Sequence, residues 1–254
     1  MSSTDQNLIG HRILQLDSVD STNNYVAKIL STEDIPHGSV IMAVEQTAGR
    51  GQRGSIWISN PGENLLLTIL LRPANLSVSD QFRLTQFASL ALLDLLEGYG
   101  ISSSIKWPND LLVNDHKIAG MLIENQVTSN RITNVLLGIG LNVNQTNFNE
   151  LCATSIYTVT RVKYTLMDVA FSLFSALNKY WKLLQDRSFS VLDDKYQRML
   201  YKRNVSTYFY DHQGVFEGTI VGTTDQGLLT IMGRNDELRS YDLKEVKFNR
   251  RNDL

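Results

Sequence analysis

The chain has 254 residues, 43% hydrophobic and 20% charged, an ordinary globular composition with room for one large domain and a small one, and far from collagenous or disordered classes. Lys+Arg 24 against Asp+Glu 26 leaves a net charge of -2, so there is no global basic field for bulk nucleic-acid or anionic-membrane binding. The single cysteine, Cys152, excludes an intramolecular disulfide and a cysteine-rich zinc site, and suits a reducing, cytoplasmic compartment with an inert, packed thiol.

The N-terminus MSSTDQNLIGHR has no apolar leader, and the longest apolar run, LLLTILL, is too short to span a bilayer. After Ile13–Leu16, Ser18 to Thr22 holds several N-cap candidates for a short helix ending near Leu30. Ser39 to Val44 reads as a buried strand running into a glycine-rich loop, Thr47 to Ser55, and Glu63 to Arg72 as a second strand. Ser79 caps a predicted helix whose apolar residues Phe82, Leu84, Phe87, Leu90, Leu93 and Leu96 recur at helical spacing, stopped by Gly98 and Gly100. SIKW, DLLV, KIAGMLIE and ITNVLLGIGLNV are short, closely spaced strands, so mixed α/β architecture with antiparallel neighbours is expected rather than a doubly wound parallel sheet.

Leu166, Val169, Leu173, Leu177, Tyr180 and Leu184 form the stripe of an amphipathic helix over 165–185, and a second helix covers Val191 to Tyr201. From about Asn204 the period changes to alternation (VSTYFY, VFEGTIVG, LLTIMG, and a last strand from Tyr241 to Phe248), which suits a small β-barrel. The expected division is therefore 1–203 and 204–254.

Gly49-Arg50-Gly51-Gln52-Arg53-Gly54 formally matches GxGxxG, but Pro61-Gly62 and a β-like run follow where a dinucleotide-binding loop needs a helix. Ser55 stands where a Walker A lysine belongs, and no HRD or DFG tripeptide follows. What survives is close backbone approach and two arginines suited to phosphate or carboxylate, with a surface hairpin bearing solvated arginines as the alternative. In Lys106-Trp107-Pro108-Asn109-Asp110, Pro108 displays Asn109 and Asp110 at a strand edge, and a hairpin over 110–117 brings Asp110 to Lys117. Such a pair can ligate Mg²⁺ and neutralise a developing oxyanion, or be a plain surface ion pair. His11, His37, His116 and His212 lack metal-ligand spacing.

Together Ser21-Thr22-Asn23, EQTAGRGQRGSIW (45–57), KWPNDLLVNDHKIAGMLIE (106–124) and GIGLNVN (138–144) resemble biotin protein ligases in order and spacing. The resemblance implies a largely antiparallel mixed sheet flanked by helices, like class II aminoacyl-tRNA synthetases, with a C-terminal SH3-like barrel. It implies biotin and Mg-ATP as substrates, biotinyl-5′-adenylate as intermediate, and a lysine of a biotin carboxyl carrier domain as acceptor, with no tightly bound cofactor. Lys117, Arg50 and Asp110 would be catalytic. Ser21, Thr22, Asn23, Gln46, Gly49, Arg50, Gly51, Gln52, Lys117 and Gly120 would bind biotin. Arg50, Arg53, Trp57, Lys106, Asn109, Asp110, Lys117 and Asn142 would bind the nucleotide, with Trp57 on adenine and Asp110 on magnesium. The loop is expected to be mobile when empty, through repulsion between Arg50 and Arg53, and Gln52, in place of the arginine of the common GRGRxG pattern, to let the adenylate escape faster.

A lipoate ligase would carry RRxSGGG, which is missing, and a non-catalytic carrier-binding module is disfavoured by the charged motifs. Only about 20 residues precede Ser21, short of the about 60 that a winged helix-turn-helix needs, so no nucleic-acid partner is expected. Lys202-Arg203 and Arg250-Arg251 read as solvated charge or a carrier-docking patch. The resemblance allows a monomer or a homodimer.

Overall fold

The computed structural model describes residues 8–149 and 151–248. The first part alternates β1 (Arg12–Val19), α1 (Thr22–Ile29), β2 (Ser39–Gln46), β3 (Asn64–Leu71), β4 (Leu76–Ser77), α2 (Phe82–Gly98), β5 (Ser104–Lys106), β6 (Asp110–Val113), β7 (His116–Thr128) and β8 (Arg131–Asn142). Helices α3 (Ile156–Thr160), α4 (Leu166–Gln185) and α5 (Phe189–Arg198) follow. The strands form one sheet in the order β1-β2-β3-β8-β7-β6-β5, with β4 on β8. Only β1–β2 is parallel; the other ladders are antiparallel, as the short connections require.

Strand β3, NLLLTILL, is buried along its whole length, and its alternation sorts the two faces. Leu65, Leu67, Ile69 and Leu71 join the main core with α2 and α4, where Phe87 and Trp181 meet edge-on at 5.5 Å. Leu70 joins a smaller cluster with Val26 of α1, and Thr68, on that same face, meets the start of α1. Helix α4 begins as expected, the Thr165 hydroxyl accepting from the Asp168 amide at 3.2 Å. Burial and the neighbouring Asp94 carboxylate push the Tyr180 phenol of α4 well above its usual pKa, so it stays a donor to Asp94 at 2.7 Å.

The second sheet comprises β9 (Ser206–Asp211), β10 (Gly214–Thr223), β11 (Leu229–Gly233), β12 (Leu238–Tyr241) and β13 (Lys247–Phe248), ordered β12-β11-β10-β9-β13. Its apolar residues Phe209, Ile220, Leu229 and Ile231 continue the main core, so the two sheets are packed together.

The C-terminal sheet is five-stranded with its last strand beside its first, in keeping with the small β unit expected there, and among the described residues no ladder joins β12 to β13. Several expectations need correction. The segment from Tyr241 to Phe248 is the end of one strand and the whole of another, because the Asp242 and Glu245 backbones close a turn between them. Ser79 lies in a 3₁₀ turn, Val78–Asp80, and Gln81 occupies the N-cap of α2. Cys152 is exposed, not packed. Arg203 is tied down, its Nε donating to the Val221 carbonyl at 3.1 Å, whereas Arg250 and Arg251 lie outside the described residues.

Candidate active site

A cavity of about 560 Å³ opens between the two sheets, within the range of pockets that bury small ligands. Its floor follows from strand pairing. Thr68, Gly138 and Leu122 are opposite one another across β3, β8 and β7, and Leu66, Gly140 and Gly120 form the next such row. Opposed residues share a face, so the GIG of β8 clears this side of the sheet while Ile139 and its alternates Leu137 and Leu141 pack into the main core. A methyl on Gly140 would stand 2.5 Å from the Trp57 ring, and one on Gly138 would overlap Asn23.

At one end of this floor lies the start of α1. Ser21, Thr22 and Asn23 are buried. The Thr22 amide and hydroxyl both donate to Gln46 Oε1, at 2.8 and 3.0 Å, and the Thr68 hydroxyl meets Thr22 Oγ1 at 2.8 Å and Asn23 Oδ1 at 2.5 Å. Asn23 Nδ2 donates to Glu124 Oε2 at 2.7 Å. With its oxygen taken by Thr22, Gln46 turns its amide group toward the cavity as a donor.

The glycine loop is a narrow hairpin: Trp57 N donates to Gly49 O at 3.0 Å and Gly51 N to Ser55 O at 2.7 Å, with a 3₁₀ turn over Gln52–Gly54. A methyl on Gly49 would sit 2.5 Å from the Trp57 carbonyl oxygen and one on Gly51 2.9 Å from Ser55 Oγ, so these glycines let the hairpin close on itself. Arg50 donates to Glu124 Oε1 at 2.8 Å and to Asn24 Oδ1 at 2.7 Å. Its charge is thus matched within the chain. Gln52 lines the cavity with a buried Oε1 that no group satisfies among the described residues.

Opposite lies the β6–β7 hairpin. Asp110 pairs with Gly120 but Leu112 with Lys117, the register slipping by one residue after Leu111. Without this bulge Lys117 and Gly120, three apart, would point to opposite faces; with it, Lys117 folds back over Gly120. There Nζ meets Asp110 Oδ1 at 2.7 Å and lies 5.4 Å from the Trp57 ring centroid. The backbone of Lys117 is clamped on both sides, its amide donating to Cys152 O at 3.0 Å and its carbonyl accepting from Thr154 N at 2.9 Å. Asn109 Nδ2 donates to Met121 O at 2.5 Å, and the preceding carbonyl, that of Pro108, accepts from the Tyr196 hydroxyl at 3.0 Å. Burial raises the Tyr196 pKa strongly, so the phenol remains a donor. Tyr196→Phe leaves that carbonyl without this donor and is expected to lower stability by about 1 kcal/mol in urea unfolding.

The C-terminal sheet supplies the remaining wall, including Phe209, Leu229, Val246 and Phe248, and is fastened by Trp107 Nε1 donating to Gly227 O at 2.8 Å. Neither this wall nor the role of Glu124 and Thr68 was expected; a threonine inside an apolar strand and a glutamate ending the KIAGMLIE strand were the available signals.

Of the expected site residues, Ser21, Asn23, Gln46, Arg50, Gly51, Gln52, Trp57, Lys106, Asn109, Asp110, Lys117 and Gly120 do line the cavity. Thr22 and Gly49 stand behind it as supports of Gln46 and Trp57. Asn142 does not line it: buried, it donates to Thr154 O at 3.0 Å and to Lys117 O at 3.4 Å, which ties β8 to the Lys117 backbone. The side chain of Arg53 lies outside what the structure describes.

A family model described as the biotin/lipoate A/B protein ligase family matches residues 16–142. The bifunctional ligase/repressor BirA of Bacillus subtilis is 29% identical over 230 residues, 88% of this chain and 70% of that protein. The biotin–[acetyl-CoA-carboxylase] ligase of Paracoccus denitrificans is 37% identical over 131 residues, 50% of this chain and 53% of that one. Among solved structures, a biotin protein ligase from Aquifex aeolicus in complex with biotin and ATP is similar with a TM-score of 0.73 and 26% identity, covering 94% of this chain and 99% of that chain.

Proposed function

The chain belongs to the biotin/lipoate A/B protein ligase family, and from that membership we propose that this biotin ligase activates biotin with ATP and passes it to a lysine on a biotin carboxyl carrier domain. The observation that carries the reading is Lys117, re-aimed by the bulge, held by Asp110 and set over a glycine-cleared floor facing Arg50 and Gln46.

In the first step a biotin carboxylate oxygen attacks the α-phosphorus of ATP. A new O–P bond forms, the bond to the bridging oxygen breaks, and pyrophosphate leaves. Two anions must meet, so a fixed cation at the meeting point lowers the barrier; the Lys117 ammonium supplies it, and Asp110 holds it in place. Gln46, with its amide facing the cavity, donates to the ureido oxygen of biotin, and Asn23 offers its Oδ1 to a ureido N–H. Trp57 and the end of the cavity near Lys106 and Asn109 receive the nucleotide. In the second step the unprotonated ε-amine of the carrier lysine attacks the acyl carbon and AMP departs.

Asp110 is the single carboxylate lining the cavity among the described residues, which fits a magnesium that arrives on ATP and keeps mostly phosphate and water ligands. Bound there, the ion would offset phosphate charge. Residues 1–203 make up the ligase unit in this reading and 204–254 the second unit, whose described residues supply the remaining wall of the cavity.

The test is a streptavidin blot after incubation with biotin, Mg-ATP and a carrier fragment; no labelled carrier overturns the reading. Adenylate retention gives a separate prediction. Gln52→Arg places a second guanidinium at the cavity wall, and adenylate release timed by rapid filtration is expected to slow about fivefold, as roughly 1 kcal/mol from a half-exposed ion pair implies.

A further inference from the structure

One carboxylate joins the two elements that flank the cavity at its α1 end. Glu124 lies on β7 beyond the last residue that β6 covers, and its side chain is 36% exposed. Its Oε2 accepts from Asn23 Nδ2 at 2.7 Å and its Oε1 from Arg50 NH2 at 2.8 Å, with a longer contact of 3.4 Å between Oε2 and Arg50 NH1. Asn23 belongs to α1 and Arg50 to the glycine loop, and both line the cavity.

An ionised carboxylate can only accept hydrogen bonds, so the Asn23 amide group must face it. The second Asn23 hydrogen goes to Leu122 O at 3.5 Å, and Oδ1 is left toward the Thr68 hydroxyl and the cavity. The same carboxylate, with Asn24 Oδ1, holds the Arg50 fork between α1 and β7. We propose that Glu124 is a positioning residue for biotin: it fixes the donor–acceptor polarity of Asn23 and the place of Arg50, so that both groups are set before the ligand arrives. This rests on the biotin-site reading above.

Glutamine at 124 keeps the shape of glutamate but can donate, letting Asn23 turn over, and it releases Arg50. Aspartate is shorter but still accepts only. Calorimetric titration with biotin alone, without ATP, separates polarity from shape. Glu124→Gln is expected to weaken biotin binding about tenfold, the loss typical of a charge-assisted hydrogen bond at a half-exposed site, with Glu124→Asp closer to wild type and melting temperatures of both near wild type. Glu124→Gln binding biotin within twofold of wild type, or better than Glu124→Asp, overturns the proposal, as does weaker binding that only tracks a fall in melting temperature. A wild type that takes up no biotin overturns the underlying biotin reading and this proposal with it.

Discussion

Lys117→Ala is expected to slow biotin-dependent pyrophosphate exchange by about 100- to 1000-fold, the loss seen when one preorganised group is removed from a developing anion. The size of the effect follows from how much of the structure is spent on that one nitrogen. The bulge turns the side chain to the cavity face, Gly120 clears the space beneath it, Asp110 binds Nζ at 2.7 Å, and the 152–154 segment clamps its backbone on both sides. On the proposed reading the folded enzyme carries the cation in place before biotin and ATP meet, and no reorganisation is needed at the moment of reaction. Lys117→Arg is expected to recover little, because a planar guanidinium spreads the charge that the ammonium concentrates in one nitrogen beside Asp110. Asp110→Asn is expected to fall between, since it leaves the ammonium present but unanchored. Exchange by Lys117→Ala within tenfold of wild type would remove Lys117 from the chemistry. A fall in exchange that only mirrors a fall in melting temperature would do the same.

The parts of this site visible in the sequence are those whose neighbours lie close along the chain. Asp110 and Lys117 face each other across a short hairpin, so the spacing alone brought them together, although the bulge that gives Lys117 its direction has no sequence marker. The amphipathic periods of α2 and α4 were equally plain, because a helix advertises its buried stripe within a few turns. Glu124 was hidden for the opposite reason. Its partners Asn23 and Arg50 come from α1 and a distant loop, and they meet only through the strand order β2-β3-β8-β7, which no local pattern encodes. Asn142 shows the converse: it sits in a motif that reads as part of the site and alternation keeps it on the face of Gly138 and Gly140, yet its amide is spent on the Lys117 and Thr154 carbonyls and it does not line the cavity. The small wall from the C-terminal sheet was likewise out of reach, since alternation in β9 to β11 predicts a buried face but not what that face covers.

Gly138→Val is expected to weaken biotin binding about 100-fold, equivalent to roughly 3 kcal/mol at the upper end of overpacking costs. A side chain at this position would overlap Asn23, and Asn23 cannot yield, because Thr68 holds its Oδ1 at 2.5 Å while Glu124 holds its Nδ2 at 2.7 Å. The strain must pass into the start of α1 and disturb Ser21 and Gln46 with it. Gly140→Val, two residues on and on the same face, tests the other half of the floor. There the obstacle is the Trp57 ring, which belongs to the glycine hairpin and has no hydrogen-bonded partner for Nε1 among the described residues, so it can swing aside. That displacement breaks the contact between Lys117 and the ring and is expected to lower adenylation while leaving the binding of biotin alone near wild type. Calorimetry with biotin and pyrophosphate exchange, run on both variants, separate the two ends. The split places biotin at the α1 end of the floor and the nucleotide at the Trp57 end; equal losses of biotin binding in both variants would instead mean that the floor acts as one unit and that this assignment of its ends is wrong.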